Sequence, residues 1–135
     1  MPHLKLIQAA LPAREQSVAP YSKFNVGAAL LTASGEIISG ANVESASYGL
    51  SCCAERVALF KALTDESKYQ RNFTAIAIAS PGGAAPCGAC RQLLAEYAGE
   101  AEVILINSGS PESHTSSTMS ALLPNAFTGD DLPES

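Results

Sequence analysis

The chemistry available to this chain concentrates in two short stretches, Cys53-Ala54-Glu55-Arg56 and Pro86-Cys87-Gly88-Ala89-Cys90, which together offer three thiols and one carboxylate. Each reads as the opening turn of a helix, where positions three apart share a face, so Cys87 and Cys90 can reach one metal ion. Cys53 completes the set from a facing helix. Three protein ligands with no obvious fourth match the ligand count of a catalytic zinc site, in which the open position is left for water. Glu55, two residues past a ligand, can lie beside the metal without ligating it and carry protons. Zinc needs deprotonated thiols, and the amides and dipole of a helix N-terminus favour negative charge. Three thiolates on a divalent cation leave one net negative charge, which works against acidifying a water. A compensating cation is therefore needed, and Arg56 is the candidate, although its position alone fits a surface helix arginine equally well.

The rest of the chain narrows the partners. At 135 residues it is long enough for one domain with a sizeable core. Hydrophobic residues at 47% and charged residues at 16% describe a globular protein and exclude a disordered one. A net charge of -5 and a pI near 4.9 argue against nucleic acid, whose binding needs a basic stripe. A small molecule is the better substrate. The opening Leu4-Lys5-Leu6-Ile7-Gln8 is too interrupted by polar residues for a signal-peptide core, and no apolar run reaches membrane-spanning length, so no membrane partner and a cytoplasmic location are expected. Four cysteines could form two disulfides in a secreted chain. Cys52 and Cys53 are neighbours whose side chains diverge on a helix, and Cys87 and Cys90 sit at metal or redox spacing, so reduced thiols are the simpler account.

The elements that must position these groups can be read in order. Leu4 to Val18 predicts a first helix with apolar positions at Leu4, Ile7, Gln8 or Ala9, and Leu11, kinked or broken at Pro12. It is read as a cover with no catalytic part. Ala19 to Ser22 is a loop, and Phe24 to Thr32 with Glu36 to Val43 form a hairpin across Ala33-Ser34-Gly35. A long loop through Tyr48-Gly49 leads to a helix from Cys52 to Leu63, with Val57, Phe60 and Leu59 or Leu63 facing the core. Phe73 to Ser80 is nearly continuous in apolar residues, as a strand covered on both faces should be. The second cysteine helix runs from Cys87 to Ala98 and ends at Gly99 as its C-terminal cap. Val103 to Ile106 is another buried strand. Asn107 to Ser117 is a serine-rich loop with room for a short edge strand, Thr118 to Leu123 a brief helix, and the acidic tail from Gly129 (129–135) is expected to be mobile. This order predicts a single α/β domain over residues 1–135, a three-layer α/β/α sandwich whose cysteine helices start at one end of a mixed sheet.

With their flanks, these stretches closely resemble the small, three-cysteine, homotetrameric zinc cytidine deaminases. The resemblance rests on Tyr21-Ser22-Lys23-Phe24-Asn25-Val26-Gly27-Ala28-Ala29, Asn42-Val43-Glu44, Cys53-Ala54-Glu55-Arg56, Pro86-Cys87-Gly88-Ala89-Cys90-Arg91-Gln92 and Leu122-Leu123-Pro124-Asn125-Ala126-Phe127. It implies a five-stranded mixed sheet and one zinc per subunit on Cys53, Cys87 and Cys90. It also implies Glu55 as proton shuttle and Arg56 hydrogen-bonded to ligand sulfurs. By the same resemblance Phe24 lies against the base, Asn42 and Glu44 hold the ribose hydroxyls, and backbone near Ala54 and Ala85 holds the base edge. Tyr48 and Phe127 reach a neighbouring subunit's site in a homotetramer with shared active sites. The implied reaction is hydrolytic deamination of cytidine and 2'-deoxycytidine in pyrimidine salvage. Without the motifs, Phe24 would pass for core, Asn42 and Glu44 for turn residues, and Tyr48 and Phe127 for interface packing. Departures from the family pattern are Ala41 in place of cysteine, Ser45 in place of asparagine, and Cys52 as an extra thiol that suits a small buried hydrophobe.

Three alternatives compete. Cys87-Gly88-Ala89-Cys90 at a helix start also fits a dithiol oxidoreductase, which needs neither Cys53 nor Glu55. A structural zinc module would close its fourth position with His3 or His114. A deaminase of another aminopyrimidine nucleoside is the nearest rival, against which Phe24, Asn42 and Glu44 point to ordinary nucleosides.

Overall fold

The structure is a computed structural model and describes residues 3–65 and 72–133. Helix α1 (Leu4–Ala13) leads through a 3₁₀ turn (Arg14–Gln16) to the hairpin β1 (Gly27–Thr32) and β2 (Ile37–Ala41). After a second 3₁₀ turn (Tyr48–Leu50) come α2 (Ala54–Leu63), β3 (Phe73–Ser80), α3 (Gly88–Tyr97), β4 (Glu102–Asn107), β5 (His114–Thr118) and the one-turn α4 (Met119–Leu122). The five-stranded sheet has the order β2-β1-β3-β4-β5. Only β3 and β4 are parallel, as expected for strands joined by a helical crossover; the other pairs are antiparallel. The mixed sheet and the sandwich agree with the sequence pattern.

The two faces of the sheet are filled differently. In β3 the alternation Ala75-Ile76-Ala77-Ile78-Ala79 sends the isoleucines to the cluster with Leu59 of α2 and Leu94 of α3, and the alanines to Leu6, Ile7 and Ala10 of α1. Alanines let α1 lie close against the sheet. The buried positions of α1 are Leu6, Ile7 and Ala10, with Ala9 and Leu11 packed at their edge, so Ile7, Ala9 and Leu11 fall where the spacing put them, while Leu4 is exposed and Leu6 and Ala10 join the core. Pro12 ends the regular α-helix one residue later, and the chain tightens into the 3₁₀ turn.

Other boundaries shift for identifiable reasons. Residues 24–26 are not strand, because the Asn42 side chain supplies the hydrogen bonds a neighbouring strand would have given: Val26 N–H donates to Oδ1 at 2.9 Å and Nδ2 donates to the Phe24 carbonyl at 2.8 Å. Val43 likewise lies past β2 and makes isolated bridges with Val18 and Cys52. Helix α2 begins at Ala54 with Cys53 as its N-cap, and it buries Ala54, Glu55, Ala58, Leu59 and Ala62 while Phe60 stays 42% exposed. The expected core face at Val57 and Phe60 is overruled by close approach to β2: a Cβ on Gly40 would lie 2.6 Å from the Ala58 nitrogen. Small residues set that distance. Gly99 follows the end of α3 without a left-handed conformation; its lack of a side chain serves the approach to the Ala95 carbonyl, 2.9 Å from a built Cβ. The serine-rich stretch does hold an edge strand, β5, and Gly129–Asp131 is a 3₁₀ turn closed by a Thr128 capping box, with residues 134 and 135 outside the described set.

Gly27 opposes both Ala41 and Ala79, so the start of β1, the end of β2 and the end of β3 meet at one end of the sheet. Both cysteine helices begin there. Gly40→Ala should push α2 off the sheet and lower unfolding free energy by about 1–3 kcal/mol. Gly49→Ala, where a Cβ meets nothing within 4 Å, should change it by less than about 0.5 kcal/mol in the same denaturant titration.

Candidate metal centre and active site

Cys53 caps α2, Cys87 caps α3, and Cys90 lies in the first turn of α3, so three thiols converge where two helices begin. Their sulfurs all lie within 4.8 Å of one another, with Cys53 to Cys87 at 3.8 Å and Cys87 to Cys90 at 3.5 Å. Cys90 is buried, Cys53 half-buried and Cys87 exposed, so one face of the cluster opens outward. Among the described residues this is the set of donors close enough to hold one metal ion, and neither His3 nor His114 belongs to it. His3 instead faces Glu102 at 3.4 Å. Three sulfur donors with no fourth side chain suit zinc at an open site.

The surrounding groups act on the charge of these thiols. A hydrogen bond from Cys90 pulls Cys53 down to about 5 against the opposing effect of burial, helped by Arg56, whose Nη2 donates to the Cys53 sulfur at 3.5 Å, and by Cys87. Cys90, the donor of that bond, is pushed far up by it and by burial. Of the two, Cys53 is the more readily ionised and Cys90 holds its proton the more tightly. Glu55, only 5% exposed, is raised mainly by burial, which moves a carboxylic acid toward the range useful for proton transfer near neutrality.

A cavity of about 370 Å³ opens beside the thiols, large enough for a small ligand. Its lining includes Phe24, Asn42, Glu44, Tyr48, Ala54 and Glu55, together with Cys53, Cys87, Arg56 and Ala85. Most sequence-predicted site residues therefore meet in one place. Phe127 does not: it is 53% exposed and outside the cavity, its carbonyl accepting from Gln92 Nε2 at 2.8 Å. Tyr48 lines this chain's own cavity and is also 79% exposed. Cys52 lines the cavity beside Cys53 outside the thiol cluster, and burial raises its thiol.

Glu44 holds the loop before β1. It accepts from the Tyr21 and Ser22 amides at 3.1 Å and from the Ser22 hydroxyl, which keeps it ionised below the usual carboxylate range, the hydroxyl bond contributing most. Ser22 Oγ also accepts from Phe24 N–H at 3.0 Å, closing a turn with Lys23 in left-handed backbone. Ser22 thus ties Glu44 to Phe24, a role no sequence signal marks. Two further residues escaped a sequence reading. Buried Ser80 accepts from Ala84 N–H at 2.8 Å and fixes the loop before Cys87. Arg91 bolts the Pro86 carbonyl to the Leu122 carbonyl, each at 2.8 Å; it stood inside a recognised motif but its type alone does not announce a loop clamp.

The family model for the cytidine and deoxycytidylate deaminase zinc-binding region matches residues 1–106. The chain belongs to the zinc-binding cytidine deaminase family. It is 48% identical over 130 residues to a cytidine deaminase of Halalkalibacterium halodurans, covering 94% of this chain and 95% of that one. A cytidine deaminase of Sporosarcina psychrophila is 46% identical over 131 residues, covering 95% and 93%. The crystal structure of the cytidine deaminase from Burkholderia pseudomallei superposes with a TM-score of 0.83 at 48% identity, covering 94% of this chain and all of that one. Membership makes the thiol cluster the zinc site of a deaminase, a hydrolase, and sets the oxidoreductase reading aside. In the zinc-free deaminase, Arg56→Ala should raise the Cys53 pKa. Its alkylation by iodoacetamide at pH 6, followed by peptide mass analysis, should slow severalfold, while wild type stays reactive down to about pH 5.

Proposed function

We propose that this chain converts cytidine and 2'-deoxycytidine to the uracil nucleosides with release of ammonia, in pyrimidine salvage in the cytoplasm. The observation that carries the reading is the buried Glu55 carboxyl beside three clustered thiols in a cavity that also contains Phe24, Asn42 and Glu44. Cys53, Cys87 and Cys90 would hold zinc, which would supply there a water acidified from about 15.7 toward about 7. Glu55 takes a proton from the attacking water and passes it to N3 as the C4–O bond forms. It then takes the second proton from the new C4 hydroxyl and delivers it to the departing amine, so that C4=O forms as the C4–N bond breaks. Phe24 offers its ring to the base, and backbone near Ala54 and Ala85 meets the base edge. Asn42 and Glu44 take the sugar; one amide donor and one carboxylate satisfy a single hydroxyl, so a missing second hydroxyl is tolerated. Arg56 offsets the negative charge of the sulfurs.

We read the whole of 1–135 as one deaminase domain, working as a homotetramer in which Phe127 and Tyr48 reach across to a neighbour's cavity. The exposure of both rings supports this. No described helix is long and apolar enough to cross a membrane.

Loss of cytidine absorbance, followed with zinc-loaded protein, tests the reaction. Glu55→Gln should lower kcat by about 10²–10⁴ while zinc content is unchanged. Near-wild-type turnover in that variant would sink the proton-shuttle role. Phe127→Ala should raise KM if copies share their sites, and should leave it unchanged if they do not.

A further inference from the structure

The stretch after α1, read from sequence as part of a cover with no catalytic part, ends against the sugar pair. Asn42 has four hydrogen-bonding positions: two lone pairs on Oδ1 and two hydrogens on Nδ2. Val26 N–H at 2.9 Å and Ser17 Oγ–H at 2.5 Å donate to Oδ1, and Nδ2 gives one hydrogen to the Phe24 carbonyl at 2.8 Å. One N–H remains. Ser17 is half-buried and does not line the cavity, so it approaches Asn42 from outside. Its place is fixed by backbone: Ser17 N–H donates to the Arg14 carbonyl at 3.1 Å. Val18 N–H donates to the Asn42 carbonyl at 2.9 Å, and Glu44 N–H donates to the Val18 carbonyl at 2.7 Å.

We propose that Ser17 is a positioning residue for sugar recognition, which fills the second lone pair of Asn42 Oδ1 and so makes Asn42 a donor only toward the cavity. The inference rests on the reading of Asn42 and Glu44 as the sugar-binding pair. Glu44, ionised, only accepts. A nucleoside hydroxyl between them then has one arrangement: it accepts from Asn42 Nδ2 and donates to Glu44. Without Ser17 the free lone pair competes for that hydroxyl or for water, and the amide plane loses one of three anchors. The cost falls on binding, because neither Asn42 nor Ser17 touches the reacting atoms.

The test compares wild type, Ser17→Ala, Ser17→Thr and Asn42→Ala on two ligands. These are cytidine as substrate, and 2',3'-dideoxycytidine, which lacks both ring hydroxyls, as a competing ligand whose Ki is measured. Ser17→Ala should raise KM for cytidine about threefold to tenfold with kcat within about twofold. Ki for the dideoxy compound should be unchanged, and Ser17→Thr should restore KM. A Ser17→Ala variant with wild-type KM would overturn the proposal, as would an equal penalty on both ligands, the mark of a merely structural role. Asn42→Ala separates the two levels. If it erases the preference for cytidine while Ser17→Ala does not, only the role of Ser17 is wrong. If it leaves the preference intact, the sugar reading of Asn42 fails and the proposal with it.

Discussion

Three thiols drawn to one point are the constraint on which the rest of the molecule depends. Two thiolates 3.8 Å apart repel by about 4 kcal/mol at an effective dielectric of about 20. A helix N-terminus returns only about 0.3–1 kcal/mol to an adjacent negative charge. The two helix ends and Arg56 cannot by themselves hold three thiolates. Lowering Cys53 while raising Cys90 meets part of that balance, and a divalent cation meets it better. The fold must therefore hold α2 and α3 against the tendency of this end to spread. Gly40 lets α2 sit down on β2, Ser80 fixes the loop before Cys87, and Arg91 ties that loop to α4.

The other side of the cavity is built on a different principle, in which side chains take the part of strands. Asn42 stands in for a β-ladder along residues 24–26, and Glu44 gathers the amides of Tyr21 and Ser22. The same two cavity-lining side chains thereby set where the Phe24 ring sits. Phe24 and the Asn42–Glu44 pair are mechanically linked, and a disturbance in the loop around Lys23, already in left-handed backbone, should be felt at both.

The thiol cluster is legible because residue type, helical spacing and helix-start chemistry all point the same way, and the family resemblance names Phe24, Asn42, Glu44 and Tyr48 of the cavity lining but not Ser51, Ile78, Ser80 or Ala84. The sheet was legible from its apolar runs. Less legible was anything decided by distance between elements. The face of α2 was misread because Phe60 outweighs alanine in any hydrophobic pattern, whereas the approach of Gly40 to Ala58 rewards the small residue. The start of β1 was placed too early because an asparagine side chain substituting for a strand leaves no periodicity. The roles of Ser17 and Ser22 lie in their partners Asn42 and Glu44, which are distant in sequence, whereas Ser80 bonds Ala84 only four residues on, within a turn that carries no motif.

An open zinc site made of three thiolates beside a buried carboxyl would show itself in X-ray absorption at the zinc edge of the purified protein. The expected spectrum is that of one zinc per chain with three sulfur ligands and one light-atom ligand that exchanges when a competing nucleoside analogue binds. Four sulfurs, with Cys52 drawn in, or a fourth ligand that does not respond to the nucleoside, would describe a closed structural site and contradict it.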